Sequence, residues 1–284
     1  MIKNVVVVGG THGNEYTGIF FANYLKTAIK LLENYSFKVT TLIANPLAFK
    51  ENKRFIDHDL NRSFHNNYLE SNDDAHERKL ACDLINNKAL KNCDFLIDLH
   101  TTTANMGKTI VLSKTDKISV QCAYYLQRKF PDLKVIEASN VDDQSPFVNK
   151  VSKSGLLIEV GPTPQGLLRP QVFQDTQEIV LEIFNFLNSI QSESDLDSDC
   201  SNKFRRYKIF ENLHYPQDPE GNITGMIHPS IENKNFEKII NGSPLFYLFN
   251  GETIYYKGES FYSIFINEAA YFNDKIALMK CNLV

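Results

Sequence analysis

No apolar run in this sequence approaches the ~18–20 residues that a bilayer span requires, so a membrane-spanning helix is not expected. The chain enters a strand-like segment within its first residues, without the apolar core and cleavage site of a secretory leader. Positive charge is not in excess. Thirty lysines and arginines against 34 acidic residues leave a net charge of −4, which argues against a nucleic-acid-binding face. A few local cations around a small anionic substrate remain compatible with that balance. Cysteine offers no framework: Cys82, Cys93, Cys122, Cys200 and Cys281 are odd in number, and no two form C-x-x-C. This speaks against disulfide staples and a thiolate zinc site, and suits reduced thiols in a cytoplasm. G-x-S-x-G, H-E-x-x-H and the phosphate-binding Walker loop are all missing, which leaves an activated water as the favoured nucleophile.

What is present is an ordinary globular composition, 43% apolar and 23% charged, over a length that suits one large domain or two unequal ones. Residues 4–9 read as a buried strand, and 15–33 as a helix with Ile19, Phe20, Ala22, Tyr24 and Leu25 on one face. Strands follow at 38–46, 93–100, 133–138 and 155–161, with helices at 73–90, 118–130 and 171–190. That alternation predicts an α/β domain over 1–190 with a largely parallel sheet covered on both faces. Residues 191–203 belong to a polar, acidic, serine-rich stretch that reads as a linker. Beyond it, short strand-like segments and frequent turn signals (DPEGN, NGS, NGE) predict a smaller β-rich domain over 204–284.

The chemistry begins at VVVVGGTHGNEYTG, where a strand runs into glycines and places His12 and Glu15 three apart. A dinucleotide fingerprint needs glycine where Val8 stands, and the next strand ends in Ala44, Asn45 and Pro46 rather than an acid. A metal site fits better. Imidazole and carboxylate are ordinary zinc ligands, and a catalytic zinc takes three of them. The third should come from the carboxyl end of another strand, where open α/β sheets place their sites. His100 closes DFLIDLH in that way; Glu137 and Glu159 are the other strand-end candidates. Glu159, inside the apolar LLIEVGP, is costly to bury without a task. Beside a zinc it can act as general base toward an attacking water and return the proton to the leaving amine.

Each residue also has a plainer reading. A lone H-x-x-E recurs by chance, and Asp98 either supports a ligand histidine or caps a backbone group. Arg54, Asn61 and Arg62, within RFIDHDLNRSF, form either a clamp for substrate carboxylates or a surface ion-pair loop. His58 reads as peripheral, and His65, His76, His214 and His228 show no pattern.

Taken together, GGTHGNEYTG (9–18), DLNRSF (59–64), DLHTTT (98–103), NMG (105–107), IEVGPTPQG (158–166) and NEAAY (267–271) resemble the succinylglutamate desuccinylase/aspartoacylase family, in its aspartoacylase branch. The resemblance implies a zinc-carboxypeptidase-like α/β domain with a smaller C-terminal β-rich domain capping the site. It implies one Zn2+ per chain, held by His12, Glu15 and His100, with Glu159 as base and Arg54 at the oxyanion. Arg54, Asn61 and Arg62 would hold substrate carboxylates, Tyr271 would reach the substrate from the C-terminal part, and Glu268 would help close the site. The implied reaction is hydrolysis of a small anionic N-acyl amino acid, with N-acetyl-L-aspartate leading. Desuccinylation of succinylglutamate, another N-acyl amino acid and a non-catalytic zinc-binding module are the alternatives. A homodimer is the implied assembly. One departure stands out: the aspartoacylase pattern carries a Tyr and an Arg near 145–150, where this chain has SPFVNK, leaving Lys150 as a point charge in place of the arginine fork.

Overall fold

The computed structural model describes residues 2–138, 145–190 and 204–284. The expected linker at 191–203 lies outside them. At the centre are β1 (Asn4–Gly9), β2 (Lys38–Ile43) and β3 (Phe95–Thr101), with β1 between the other two and all parallel. Alternation along β1 explains its burial on both faces. Val5 and Val7 pack under α1 (Tyr16–Thr27), α7 (Lys117–Lys129) and α8 (Pro170–Ser189), with Phe21, Leu25, Leu126 and Phe184. Val6 and Val8 face the opposite layer, which includes α5 (His76–Asn86), with Leu84, Leu90 and Leu96. Each such side chain contributes about 1.5–3 kcal/mol on full burial. The approach of α1 to the sheet depends on two glycines: a Cβ on Gly9 would overlap the Gly18 backbone, and one on Gly18 would overlap Leu99 of β3.

From β3 the sheet continues through β6 (Ser154–Gly161), β4 (Gly107–Leu112) and β5 (Lys134–Glu137). β6 is parallel to β3, while β4 runs antiparallel to β6. It then passes into the C-terminal segment: β7 (Tyr207–His214) pairs parallel with β5, and β13 (Ile276–Leu283), β12 (Phe261–Ile264) and β9 (Lys238–Ile239) follow antiparallel. The result is a ten-stranded mixed sheet, with a separate three-stranded sheet of β11 (Thr253–Tyr255), β10 (Pro244–Leu248) and β8 (Gly225–Ile227). Among the described residues, no helix is long and apolar enough to cross a membrane.

The α/β architecture with a β-rich C-terminal part is as the sequence reading predicts, but several elements differ. The helix expected over 15–33 breaks at Ala28 into α1 and the single turn α2 (Ile29–Leu32). The helix expected over 73–90 ends at Asn86, where Asn87 turns extended and caps α6 (Lys88–Lys91) by accepting from the Ala89 N–H at 2.9 Å. Strand β2 stops at Ile43, since Asn45 caps α3 (Pro46–Lys50) with Pro46 at its start. Strands β4 and β13 were not expected. β4 follows β3 after five residues, too few for a parallel crossover, so an alternating β/α pattern does not reveal it.

Candidate active site

The loop leaving β1 makes the sharp turn that brings His12 and Glu15 back over the sheet. Gly10 supplies a left-handed residue (φ +68°), and Gly13 lies so close to the Ala48–Phe49 backbone that a Cβ would collide. Glu15 precedes α1 rather than lying in its first turn, which leaves its carboxylate pointing at the carboxyl end of β3. One of its oxygens meets His12 Nδ1 at 2.7 Å; the other meets His100 Nδ1 at 3.0 Å and accepts from the Thr101 N–H at 3.0 Å. The two Nδ1 atoms stand 3.1 Å apart. His12, Glu15 and His100 are all buried, and one ligand atom from each lies within 4.8 Å of the others.

The far sides of both rings are equally well defined. His12 Nε2 meets Asp59 Oδ1 at 2.9 Å, and His100 Nε2 meets Asp98 Oδ2 at 2.7 Å. Asp98 is held in turn by the Thr11 hydroxyl at 2.7 Å and the Asn61 amide at 3.2 Å. Each imidazole thus points Nδ1 at a common centre and Nε2 at a carboxylate, the arrangement that orients metal-binding histidines. Burial raises the Glu15 carboxyl, but His12 and His100 outweigh it and hold it well below the usual range. His100 is raised despite burial, by Asp98 and then Glu15.

Arg54 spans Glu15 (Nη1 to Oε1, 2.9 Å) and Asp59 (Nη2 3.0 Å and Nε 3.3 Å to Oδ2). Burial opposes its charge, but Asp59 and Glu15 prevail and hold the guanidinium protonated. Asp59 also begins the 3-10 turn Leu60–Arg62, accepting from the Asn61 N–H at 2.8 Å. That loop is pinned from beneath by Glu77, which accepts from the Ile56, Asp57 and His58 N–H groups and from the Asn45 amide.

Glu159 sits opposite His100 in the parallel register of β3 and β6, so both side chains leave the same face of the sheet. Among the described residues no hydrogen bond reaches its carboxyl. Burial pushes it up to about 8; Glu15 and Glu268 add to the rise, while His100 and Arg54 oppose it. Tyr271 enters from the C-terminal segment, and burial raises its hydroxyl to about 12. Its 3-10 turn is tied to the loop after β3 by Glu268, which accepts from the Ala104 N–H at 2.9 Å and from the Thr102 hydroxyl, and caps Ala270 at 3.1 Å. A cleft of about 500 Å³ lies beside this cluster, meeting it at Arg54 and Asp59 and lined also by Lys53, Arg62, Gln165 and Tyr271 among others.

Of the residues expected at the site, the structure brings His12, Glu15, His100, Arg54 and Asn61 into one network, with Glu159 beside it and Arg62 and Tyr271 on the cleft. Two do not reach for substrate as expected. Asn61 is buried and spends its amide on Asp98, His100 and the Val148 N–H, supporting the cluster from behind. Lys150 places Nζ on the Phe64 carbonyl at 3.0 Å and on the Asn66 side chain, because its 3-10 turn packs beside that loop. Glu137 pairs with Arg206 and Lys208. His58 is exposed, 3.6 Å from Asp73. Asp59 and Glu77 escaped the sequence reading. A signal existed for the second: Glu77 shares the buried face of α5 with Ala81 and Leu84, where an acid needs partners.

A mainly parallel sheet with a buried His–Glu–His group and a partnerless carboxyl at its strand ends defines an α/β protein of the hydrolase class, built around a centre able to hold a metal. Comparison with known proteins narrows the class. Residues 1–187 match the succinylglutamate desuccinylase/aspartoacylase catalytic domain, and residues 202–283 match the AstE/AspA barrel-sandwich hybrid domain. The chain belongs to the succinylglutamate desuccinylase/aspartoacylase family. It is 37% identical to a probable aspartoacylase of Trichodesmium erythraeum (strain IMS101), over 98% of this chain and 96% of that one. It is 32% identical to the N-acyl-aromatic-L-amino acid amidohydrolase (carboxylate-forming) of Homo sapiens, over 98% and 90%. The crystal structure of murine aminoacylase 3 superposes with a TM-score of 0.88 at 31% identity, covering 100% of this chain and 96% of that one.

Proposed function

We propose that the chain is a zinc-dependent amidohydrolase that cleaves the acyl–amide bond of a small N-acyl amino acid, with N-acetyl-L-aspartate as the first substrate. The observation that carries this reading is the convergence of His12, Glu15 and His100 next to Glu159. The donor set suits zinc in type and number, and leaves a position open. Zinc bonds of about 2.0–2.1 Å in tetrahedral geometry separate ligand atoms by about 3.3 Å, close to the 3.1 Å between the two Nδ1 atoms. When bound, zinc supplies Lewis acidity toward the amide carbonyl and makes water a stronger acid.

The protein's own side chains do the rest. Glu159 takes the proton of the attacking water on a carboxyl oxygen and delivers it to the departing nitrogen. Its raised proton affinity strengthens it as the base in the uptake step. Arg54 commits three of its five N–H groups to Glu15 and Asp59, leaving two for the oxyanion. Arg62 holds the α-carboxylate, and Lys53, on the same cleft and in an exposed 3.4 Å pair with Glu51, is the cation for a side-chain carboxylate. Tyr271 narrows the entrance, which favours small substrates over polypeptides.

A second reading, an N-acyl aromatic amino acid, draws on Phe147. Its ring lies 5.7 Å from the Arg62 guanidinium, setting an apolar surface beside the proposed carboxylate anchor. Metal analysis joined to a hydrolysis panel separates these readings. About one zinc per chain, chelator-sensitive turnover and a preference for acetyl-aspartate support the first. A preference for acetyl-phenylalanine selects the second. Bound zinc without turnover of any acyl amino acid reduces the protein to a binding module, and chelator-insensitive turnover overturns the metal.

A further inference from the structure

A second cavity, of about 710 Å³, opens at the opposite end of the sheet, where β1 and β2 begin. Lys3, Lys38, Lys88, Lys91 and Lys153 line it, around Asp94. Asp94 is fully committed: Oδ2 accepts from the Lys3 and Asn4 N–H groups at 3.0 Å each, and Oδ1 pairs with Lys153 Nζ at 2.9 Å. Among the described residues the other four lysines have no acidic partner within ion-pair distance, in a chain whose acids outnumber its bases 34 to 30.

These lysines sit on a rigid frame. Lys38 pairs with Asn4 across β1 and β2, and its N–H donates to the Lys3 carbonyl at 2.8 Å. Lys88 and Lys91 end the single turn α6, and a spacing of three puts them on one side of it. Gathering like charges on fixed backbone costs free energy, which a polyanion would repay by neutralising them. Ammonium groups act on phosphates as point charges without a demand for bidentate geometry. The described lining contains no aromatic side chain on which a base could stack, so recognition falls on charge alone.

We propose that this cavity binds a short polyphosphate: three or more linked phosphoryl groups, inorganic or carried by a nucleotide. The proposal is independent of the hydrolase reading, because no residue is shared with the cleft. Calorimetry on the full chain in about 150 mM salt tests it with inorganic tripolyphosphate, ATP, AMP and orthophosphate. Tripolyphosphate and ATP should bind alike, and AMP and orthophosphate at least about tenfold more weakly, since they carry fewer charges. The K88E/K91E double variant should weaken tripolyphosphate at least about tenfold while acyl amino acid hydrolysis stays unchanged. The milder K3Q/K38Q pair should act in the same direction, whatever the fate of the first variant. Equal binding of orthophosphate, or tripolyphosphate binding that survives both variants, overturns the proposal. The second result is what chelation of a bound metal would give. A preference for single-stranded oligonucleotide over tripolyphosphate would overturn it in favour of a nucleic-acid surface.

Discussion

Asp59 grips His12 Nε2 at 2.9 Å with one oxygen and the Arg54 guanidinium with the other. One carboxylate therefore orients a candidate metal ligand and the arginine proposed for the oxyanion, while starting the turn that carries Asn61 and Arg62. His12 and Arg54 hold it well below the usual carboxylate range against the cost of burial, so it stays anionic. Asn at position 59 keeps the capping oxygen and removes the charge. Asp59→Asn should lower metal affinity by about 10–100-fold and also reduce kcat at saturating metal, through Arg54. Chelator competition reads the first and steady-state kinetics the second; unchanged metal affinity would refute the link to His12.

Glu159→Gln should keep its metal and lose turnover by about 10²–10⁴-fold or more, the usual contribution of a positioned base. Wild-type rates in this variant would remove Glu159 from the mechanism.

The same carboxyl gives a pH signature in metal-free protein. Burial, with help from Glu15 and Glu268 and against His100 and Arg54, raises it from 4.5 to about 8. The fold thus favours the protonated form. That stabilisation is complete below about pH 4.5 and drains away as pH climbs through about 8. Metal-free wild type should lose thermal stability relative to metal-free Glu159→Gln across that window. A constant difference in Tm would show that the carboxyl is not held protonated.

His100→Ala removes one of three donors and leaves Asp98 buried without its imidazole. Metal content after dialysis should fall from about one ion per chain toward none. Elemental analysis showing full occupancy would exclude His100 as a ligand.

Arg62→Ala should raise KM for every N-acyl amino acid, because the α-carboxylate is common to all. Lys53→Ala should raise it for acetyl-aspartate alone. If Lys53→Ala leaves the acetyl-aspartate KM where it was, the second carboxylate is held elsewhere.

Glu268→Ala strips the buried Thr102 hydroxyl of its acceptor and leaves the Ala104 N–H to the Thr102 oxygen at 3.1 Å, at a cost of about 1–3 kcal/mol. It should lower Tm and kcat/KM through misplacement of Tyr271, with metal content intact. Loss of metal instead would place Glu268 in the cluster itself.

Local pattern made the strands around the site legible. Val5–Val8 and Phe95–Ile97 are apolar runs, and the polar residues that follow toward their carboxyl ends, His12, Glu15 and His100, stand out because burial there needs a reason. Glu159 was legible for the same reason. Strand β4 was not, because an antiparallel insertion after five residues carries no β/α alternation.

What the sequence determined by itself was the inventory: which residue types stand at which strand ends, and the family they spell. Only the tertiary structure decided how they are used. Asp59 and Asn61 sit two apart in one motif, yet one holds His12 and the other His100, because the loop crosses between the ends of β1 and β3. Lys150 turns to the Phe64 carbonyl, and Glu268 locks onto the loop after β3 from more than 160 residues away. Such pairings depend on distances between chain segments, which sheet register and close packing set and one-dimensional spacing does not encode.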